Sequence, residues 1–288
     1  MRKKQLFEKI VHGIFLILGL LTIACVLLIS IYLIISGIPA ICKIGLFDFL
    51  LGDVWASTAA EAQFGILPFI LTSIYGTIGA IMIGVPIGIL TAIYLSKMAS
   101  EKIKSIVGSA VSLLAGIPSV VYGLVGMIVL VPFVRNTFKI ADGASLFSAI
   151  IVLAIMILPS IIKMSITALD AVPKEYEDAS LALGATPIET YFKVSLPAAK
   201  SGIAAAVVLG VGRAIGEAMA VMMVSGNMPN MPNSLFQSVQ FLTTAVASEM
   251  SYSSGLQREA LFSIALVLFV FIMLINALLN YFLKREKV

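Results

Sequence analysis

Residues 173–201 read PKEYEDASLALGATPIETYFKVSLPAAKS, a polar island between long runs that carry almost no charge. Lys174, Glu175, Glu177, Asp178, Glu189, Lys193 and Lys200 keep this stretch out of hydrocarbon, where a single central charge costs about 2.5–3.5 kcal/mol. The island has a local plan. Pro173 suits the first turn of a helix, and Gly184 suits the left-handed position that ends one. Thr186, Pro187 and Glu189 then fit N-cap, N1 and N3 of a second helix. Tyr176, Ala179 and Leu183 share one face of the first helix; Ile188, Tyr191 and Phe192 share one face of the second. Two helices this short cannot bury a core of their own, since even ~40 residues is usually too few. Their apolar faces therefore need a membrane surface, other helices of the chain, or a partner.

Outside the island the chain is that of an all-α membrane protein. Across 288 residues, 60% are hydrophobic and 12% charged, which excludes a soluble domain. Charges separate apolar gaps at 10–42, 62–96, 105–134 and 143–162, and further gaps run from Gly202 to Val224 and over 260–283. Each suffices for a crossing of about 20 residues, so six transmembrane helices are predicted, with both termini on one side. The first gap follows Arg2, Lys3 and Lys4 but is longer than the ~7–15 residues of a signal h-region, and it reads as a retained helix. The termini, the 97–104 loop and the 163–200 loop hold fourteen Lys and Arg, whereas the opposite loops hold only Lys43, Arg135, Lys139 and Arg258. By the positive-inside rule the termini and the island are cytoplasmic.

Cys25 and Cys42 give neither a disulfide framework nor a metal-ligand spacing, and His12 is the only histidine. A histidine metal site or a Ser/His/Asp triad has no material here. In the second gap Gly76, Ala80, Gly84 and Gly88 recur every four residues, a smooth stripe that serves either a subunit interface or packing within the chain. Pro86, Pro118, Pro132 and Pro159 predict kinks. On the outside, Leu235, Val239, Leu242 and Val246 fit one face of a short interfacial helix, either at the mouth of a pathway or as a linker.

The fifth gap contains GVGRAIGEAMAV, residues 210–221. At 1.5 Å per residue from Gly202, Arg213 lies roughly 16 Å deep, near the middle of a ~30 Å core. Continuous helix would put Glu217 on the same face one turn outward. An intrahelical ion pair is the plain reading, yet acid-first is the better order at this spacing and here arginine comes first. Ala206, Gly210 and Ala220 leave room beside the charges, so a pathway pair is the favoured reading of Arg213 and Glu217.

These features together resemble the permease subunits of binding-protein-dependent ABC importers. Members have a cytoplasmic EAA loop with glycine six residues after its acid, then Ile, one residue, and Leu-Pro. Asp178, Ala179 and Ser180 stand at the EAA positions, preceded by Glu177; Gly184 is the glycine, Val194 replaces isoleucine, and Leu196 and Pro197 complete the motif. GRAIGEAMAV, the following SGNMP and LVLFVF in the last span are similar to the C-type phosphate-specific permeases, although Ala218 stands where that group usually has threonine. The likeness covers most of residues 62–283.

The resemblance implies a type I ABC importer permease fold in which residues 62–288 form the core domain, with the coupling loop at 173–201. Residues 1–61 form an N-terminal helix and first external loop. It further implies a multi-pass protein of a bacterial or archaeal cell membrane that partners a homologous A-type permease, two cytoplasmic ATPase subunits and an extracytoplasmic phosphate-binding protein. The cargo would be inorganic phosphate, and no nucleic acid is involved. The island would be the coupling helix that docks on an ATPase. The chain has no GxxxxGK[ST] loop, so ATP and magnesium belong on that partner and this chain is not an enzyme and holds no cofactor. A permease for molybdate or sulfate, or a secondary transporter using Arg213 and Glu217 as a charge relay, are the alternatives.

Overall fold

The computed structural model describes residues 2–285, with side chains for residues 8–278 and 281. The basic residues counted at 2–4 and 284–287 therefore lie outside the described side chains. The chain opens with α1 (Arg2–Ile44) and the short α2 (Leu46–Leu51), followed by two two-residue strands, β1 (Trp55–Ala56) and β2 (Gln63–Phe64), paired antiparallel with Trp55 opposite Phe64. α3 (Leu67–Ile93) then continues through a π turn at Tyr94–Met98. After α4 (Glu101–Gly116), α5 (Ser119–Val125) passes through a second π turn into α6 (Val131–Phe138). α7 (Leu146–Asp170) leads to the island, which contains α8 (Lys174–Ala182), α9 (Pro187–Thr190), a π turn at Tyr191–Ser195 and α10 (Leu196–Ala198). α11 (Lys200–Gly216), α12 (Met219–Val224), α13 (Leu242–Glu249) and α14 (Gly255–Arg285) complete the chain.

Five helical segments are long and apolar enough to cross a bilayer: Glu8–Ile44, Leu67–Met98, Ser119–Phe138, Leu146–Asp170 and Gly255–Leu278. A bent pair, Pro187–Ala198 with Lys200–Gly216, brings the number to six and turns through 72° at its joint. The charged, exposed arm of that pair is part of the island, so α11 is the arm that crosses.

The central packing is α3 against α7, and the small-residue stripe makes it possible. A Cβ at Gly84 would lie 2.7 Å from Ile157 Cδ1, and one at Gly88 would lie 2.7 Å from Ile161 Cγ2. Gly76 sits against the Phe241 ring and Ala80 is fully buried. The stripe thus serves packing within the chain. The largest buried cluster joins α7 to α12 through Leu146, Ile150, Leu153, Met156, Val221 and Val224.

By contrast, α1 is exposed along most of its length and meets the bundle only near its end. There Tyr32 packs edge-on against Phe262 at 5.7 Å, and Ser263 donates to the Gly37 carbonyl.

Several sequence expectations change. The fourth span continues past Lys163 to Asp170, because one lysine on an exposed face does not end a helix whose other faces are apolar. Pro86 and Pro159 lie inside continuous helices, whereas Pro118 marks a break between α4 and α5. The outer segment is helical only over Leu242–Glu249. Residues 226–241 are held instead by irregular bonds, such as Val239 N–H to the Ser225 carbonyl and Phe147 N–H to that of Leu235. Leu235 is left half-exposed and Val239 buried.

The fifth span also departs from expectation, for it is broken. Glu217 is extended, with φ −73° and ψ 127°, and Ala218 follows before α12 begins.

Candidate functional site

Within the island, local chemistry does what the residues require. Pro173 is the N-cap of α8, and Gly184, at φ +90°, ends it just beyond the Leu183 C-cap. Thr186 and Glu189 form a reciprocal capping box: Glu189 N–H donates to Thr186 Oγ1 at 3.3 Å and Thr186 N–H to Glu189 Oε2 at 3.1 Å. The backbone bond from Thr186, reinforced by Lys193 at 3.2 Å, holds the Glu189 carboxyl below its ordinary value. Ser180 and Thr190 hydroxyls meet at 2.9 Å, bracing the two short helices against each other.

The apolar faces divide. Tyr191 packs with Ala92, Ile93, Leu169, Val172 and Ile203 at the end of the bundle. Tyr176, Leu183, Ile188 and Phe192 stay exposed, Leu183 at 90%. Asp178, Ala179 and Pro197 are also exposed, and Leu196 half-buried. Glu177 turns the other way: its carboxylate takes the Lys97 ammonium at 2.6 Å and the Ser195 hydroxyl at 2.9 Å, with only 18% of its side chain and 11% of that of Lys97 exposed. Beside Lys97, Ser96 donates to Asp170 at the end of α7. Two consecutive residues after α3 thus strap that helix to the island and to α7. No local signal in the sequence ties Lys97 to an acid 80 positions away.

Deeper in the bundle, Arg213 lies in the last turn of α11. Its Nη1 donates to Ser160 Oγ on α7 at 3.2 Å. Among the described residues no ion pair joins Arg213 to Glu217. Glu217 instead caps α12, its Oε1 accepting from Ala220 N–H at 3.0 Å. Its carbonyl accepts from Thr243 Oγ1 on α13 at 2.8 Å. Two backbone groups at the break, the Ala220 N–H and the Glu217 carbonyl, are thus met by side chains, as an interruption at membrane depth requires. The two charges therefore sit on different helical segments, and the guanidinium keeps donors for a ligand. Ser160 and Thr243 complete this group and were not singled out from sequence, since each lies on a different helix.

The family described as binding-protein-dependent transport system inner membrane component matches residues 84–288. A relative from Bacillus subtilis, "Probable ABC transporter permease protein YqgH", is 39% identical over 274 residues, covering 94% of this chain and 89% of that one. "Phosphate transport system permease protein PstC" of Pasteurella multocida is 35% identical over 78% of this chain and 75% of its own length. The protein of the same name in Mesorhizobium japonicum is 34% identical over 83% and 79%. Among solved structures, an inward-facing MetNI methionine ABC transporter superposes with TM-score 0.57 at 21% identity, covering 77% of this chain and 94% of that one.

Proposed function

The chain belongs to the family of binding-protein-dependent transport system inner membrane components, and from that premise we propose that it is one permease half of an ATP-driven phosphate importer. The names of the relatives at 34–35% identity support phosphate as cargo. In this reading the second half is a homologous A-type permease. A phosphate-binding protein delivers from outside, and two cytoplasmic ATPase subunits bind ATP and magnesium. The excess of Lys and Arg supports a cytoplasmic position for the termini and the α8–α10 end.

One observation carries the proposal: α11 bears at one end a guanidinium with no carboxylate partner among the described residues, and turns at the other through 72° into a segment with exposed apolar side chains. Seventeen residues of helix span about 25 Å, a lever between a docking surface and an anion site. Tyr176, Leu183, Ile188 and Phe192, together with Asp178, Ala179 and Ser180, form the surface that seats on the ATPase. Gly184 and the Leu196–Pro197 turn fix its shape. Glu177 acts from behind by holding the segment to α3. Closure of the ATPases displaces the segment, α11 and α3 follow, and phosphate crosses past Arg213. In a low-dielectric site that cation attracts the anion far more strongly than it would in water.

Phosphate uptake by the complete complex in proteoliposomes tests this, with and without ATP. Arg213→Ala is expected to abolish uptake while the subunits still copurify. ATP-independent uptake would indicate a secondary transporter, and transport of sulfate or molybdate in place of phosphate would indicate another oxyanion permease.

A further inference from the structure

On the α8–α10 side of Arg213 a cleft of about 860 Å³ opens between α4 and α7. Lys104, Ser105, Ser109 and Ser112 line it from α4, and Lys163 and Thr167 from α7. Lys163 is no loop residue, since the helix continues seven positions beyond it. Ser160, Lys163 and Thr167 fall at i, i+3 and i+7, on one face of α7. Ser160 is the residue that Arg213 holds. Lys163 follows it by about 4.5 Å along the axis. The Tyr122 hydroxyl donates to the Leu114 carbonyl at 2.7 Å, which ties α5 to the last turn of α4. The other end is electrically balanced: Asp170 faces Lys104 at 3.6 Å and accepts from Ser96. Lys163 has no carboxylate partner among the described residues.

An ammonium on the turn of α7 that follows Ser160, the partner of Arg213, with the Ser105 and Ser109 hydroxyls in the same cleft, has the chemistry to hold a tetrahedral oxyanion. We propose that this cleft is a second anion station, at which Lys163 receives phosphate from Arg213 before its release. The inference rests on the phosphate-importer reading above. A lipid phosphate headgroup carries the same chemistry, and a lysine near a membrane face can snorkel toward one, so the test separates the two sources.

The test is ATP-driven uptake of radiolabelled phosphate by the complete complex in proteoliposomes, normalised to the amount of assembled transporter. Lys163→Gln removes a charge-assisted contact and is expected to lower the maximal rate about tenfold. Half-saturating external phosphate should change little, because capture occurs on the binding protein. Lys163→Arg should keep most of the rate. An equal loss in zwitterionic and anionic vesicles supports the station. A loss confined to anionic vesicles assigns the lysine to lipid and overturns it, as does an unchanged rate in Lys163→Gln. If that variant does not assemble, Ser105→Ala with Ser109→Ala must lower the rate, and a parental rate there overturns the proposal. A parent complex that moves no phosphate refutes the importer reading itself.

Discussion

Lys97 and Glu177 offer the sharpest test of how the exposed segment is tied to the bundle. Their 2.6 Å contact is largely sheltered, and Glu177 also accepts from Ser195. Removing one partner of a fully buried pair costs about 3–5 kcal/mol because the other charge is stranded. The remaining exposure here, with Ser195 still present to solvate the carboxylate, reduces this to about 2–3 kcal/mol. Lys97→Met is therefore expected to destabilise the assembled protein by that amount and to loosen the segment. Glu177→Gln is milder, since its amide still accepts from Ser195. With both changes no charge is stranded, so the double variant should recover most of the loss. A coupling energy of about 2 kcal/mol is expected from the double-mutant cycle, measured by unfolding in mixed detergent micelles. In parallel, ATP hydrolysed per phosphate imported should rise in Lys97→Met, because motion at the ATPase no longer reaches α3 in full. Strict additivity, with coupling under about 0.5 kcal/mol, or unaltered ATP stoichiometry in Lys97→Met, would refute the strap.

Three further outcomes follow from contacts elsewhere. Glu217→Gln preserves an acceptor for the Ala220 N–H while removing the charge, so α12 should stay intact. A carboxylate can accept the proton that hydrogen phosphate carries and sulfate lacks at neutral pH, so uptake of phosphate in competition with sulfate should become less discriminating; unchanged discrimination would leave Glu217 as a cap alone. Gly84→Val places a methine 2.7 Å from Ile157 Cδ1 and 3.1 Å from the Ala154 carbonyl. The isoleucine tip can move but that backbone oxygen cannot, so a loss of about 1–3 kcal/mol is expected, and parental yield and unfolding behaviour would contradict it. The capping box should survive mild acid. The Glu189 carboxyl is lowered by the Thr186 backbone bond and by Lys193, so its contribution is complete above the ordinary carboxylate pKa of about 4.3. It is lost only as pH falls through the lower folded value, which the carboxyl carbon shift of Glu189 would report; titration at or above the ordinary value would refute the box.

What the sequence disclosed and what it withheld divide by range. The island was legible in detail because caps act within four residues: Pro173, Gly184 and the Thr186–Glu189 box specify two short helices whatever surrounds them. Crossings were legible as apolar lengths, and the spacing of Gly76, Ala80, Gly84 and Gly88 showed a smooth face but not its neighbour. For Gly84 and Gly88 that neighbour is α7, whose Ile157 and Ile161 fill the notches, and for Gly76 it is the Phe241 ring, facts of tertiary packing. A charge does not mark a span end where it sits on an exposed face of a continuing helix, as Lys163 does. The strap between Lys97 and Glu177 had no local signature.

The break at Glu217 is the most consequential of the features that sequence concealed. Neither proline nor a strained residue enforces it: Gly216 is permissive, and an uninterrupted helix from Lys200 to Val224 would satisfy the same backbone groups. The interruption persists because its freed groups have better partners. The Glu217 carboxylate takes the Ala220 N–H, and Thr243, brought by α13, reaches the Glu217 carbonyl. The result separates the two intramembrane charges mechanically. Arg213 belongs to α11, which leads directly to the exposed segment, whereas Glu217 belongs to α12, whose Val221 and Val224 lie in the largest buried cluster. In a continuous helix the two would move as one body at fixed separation. Across an extended joint, displacement of α11 need not carry Glu217 with it, so the field around the guanidinium changes when the lever moves. An anion held at Arg213 would thereby meet a different balance of charge in each position of α11.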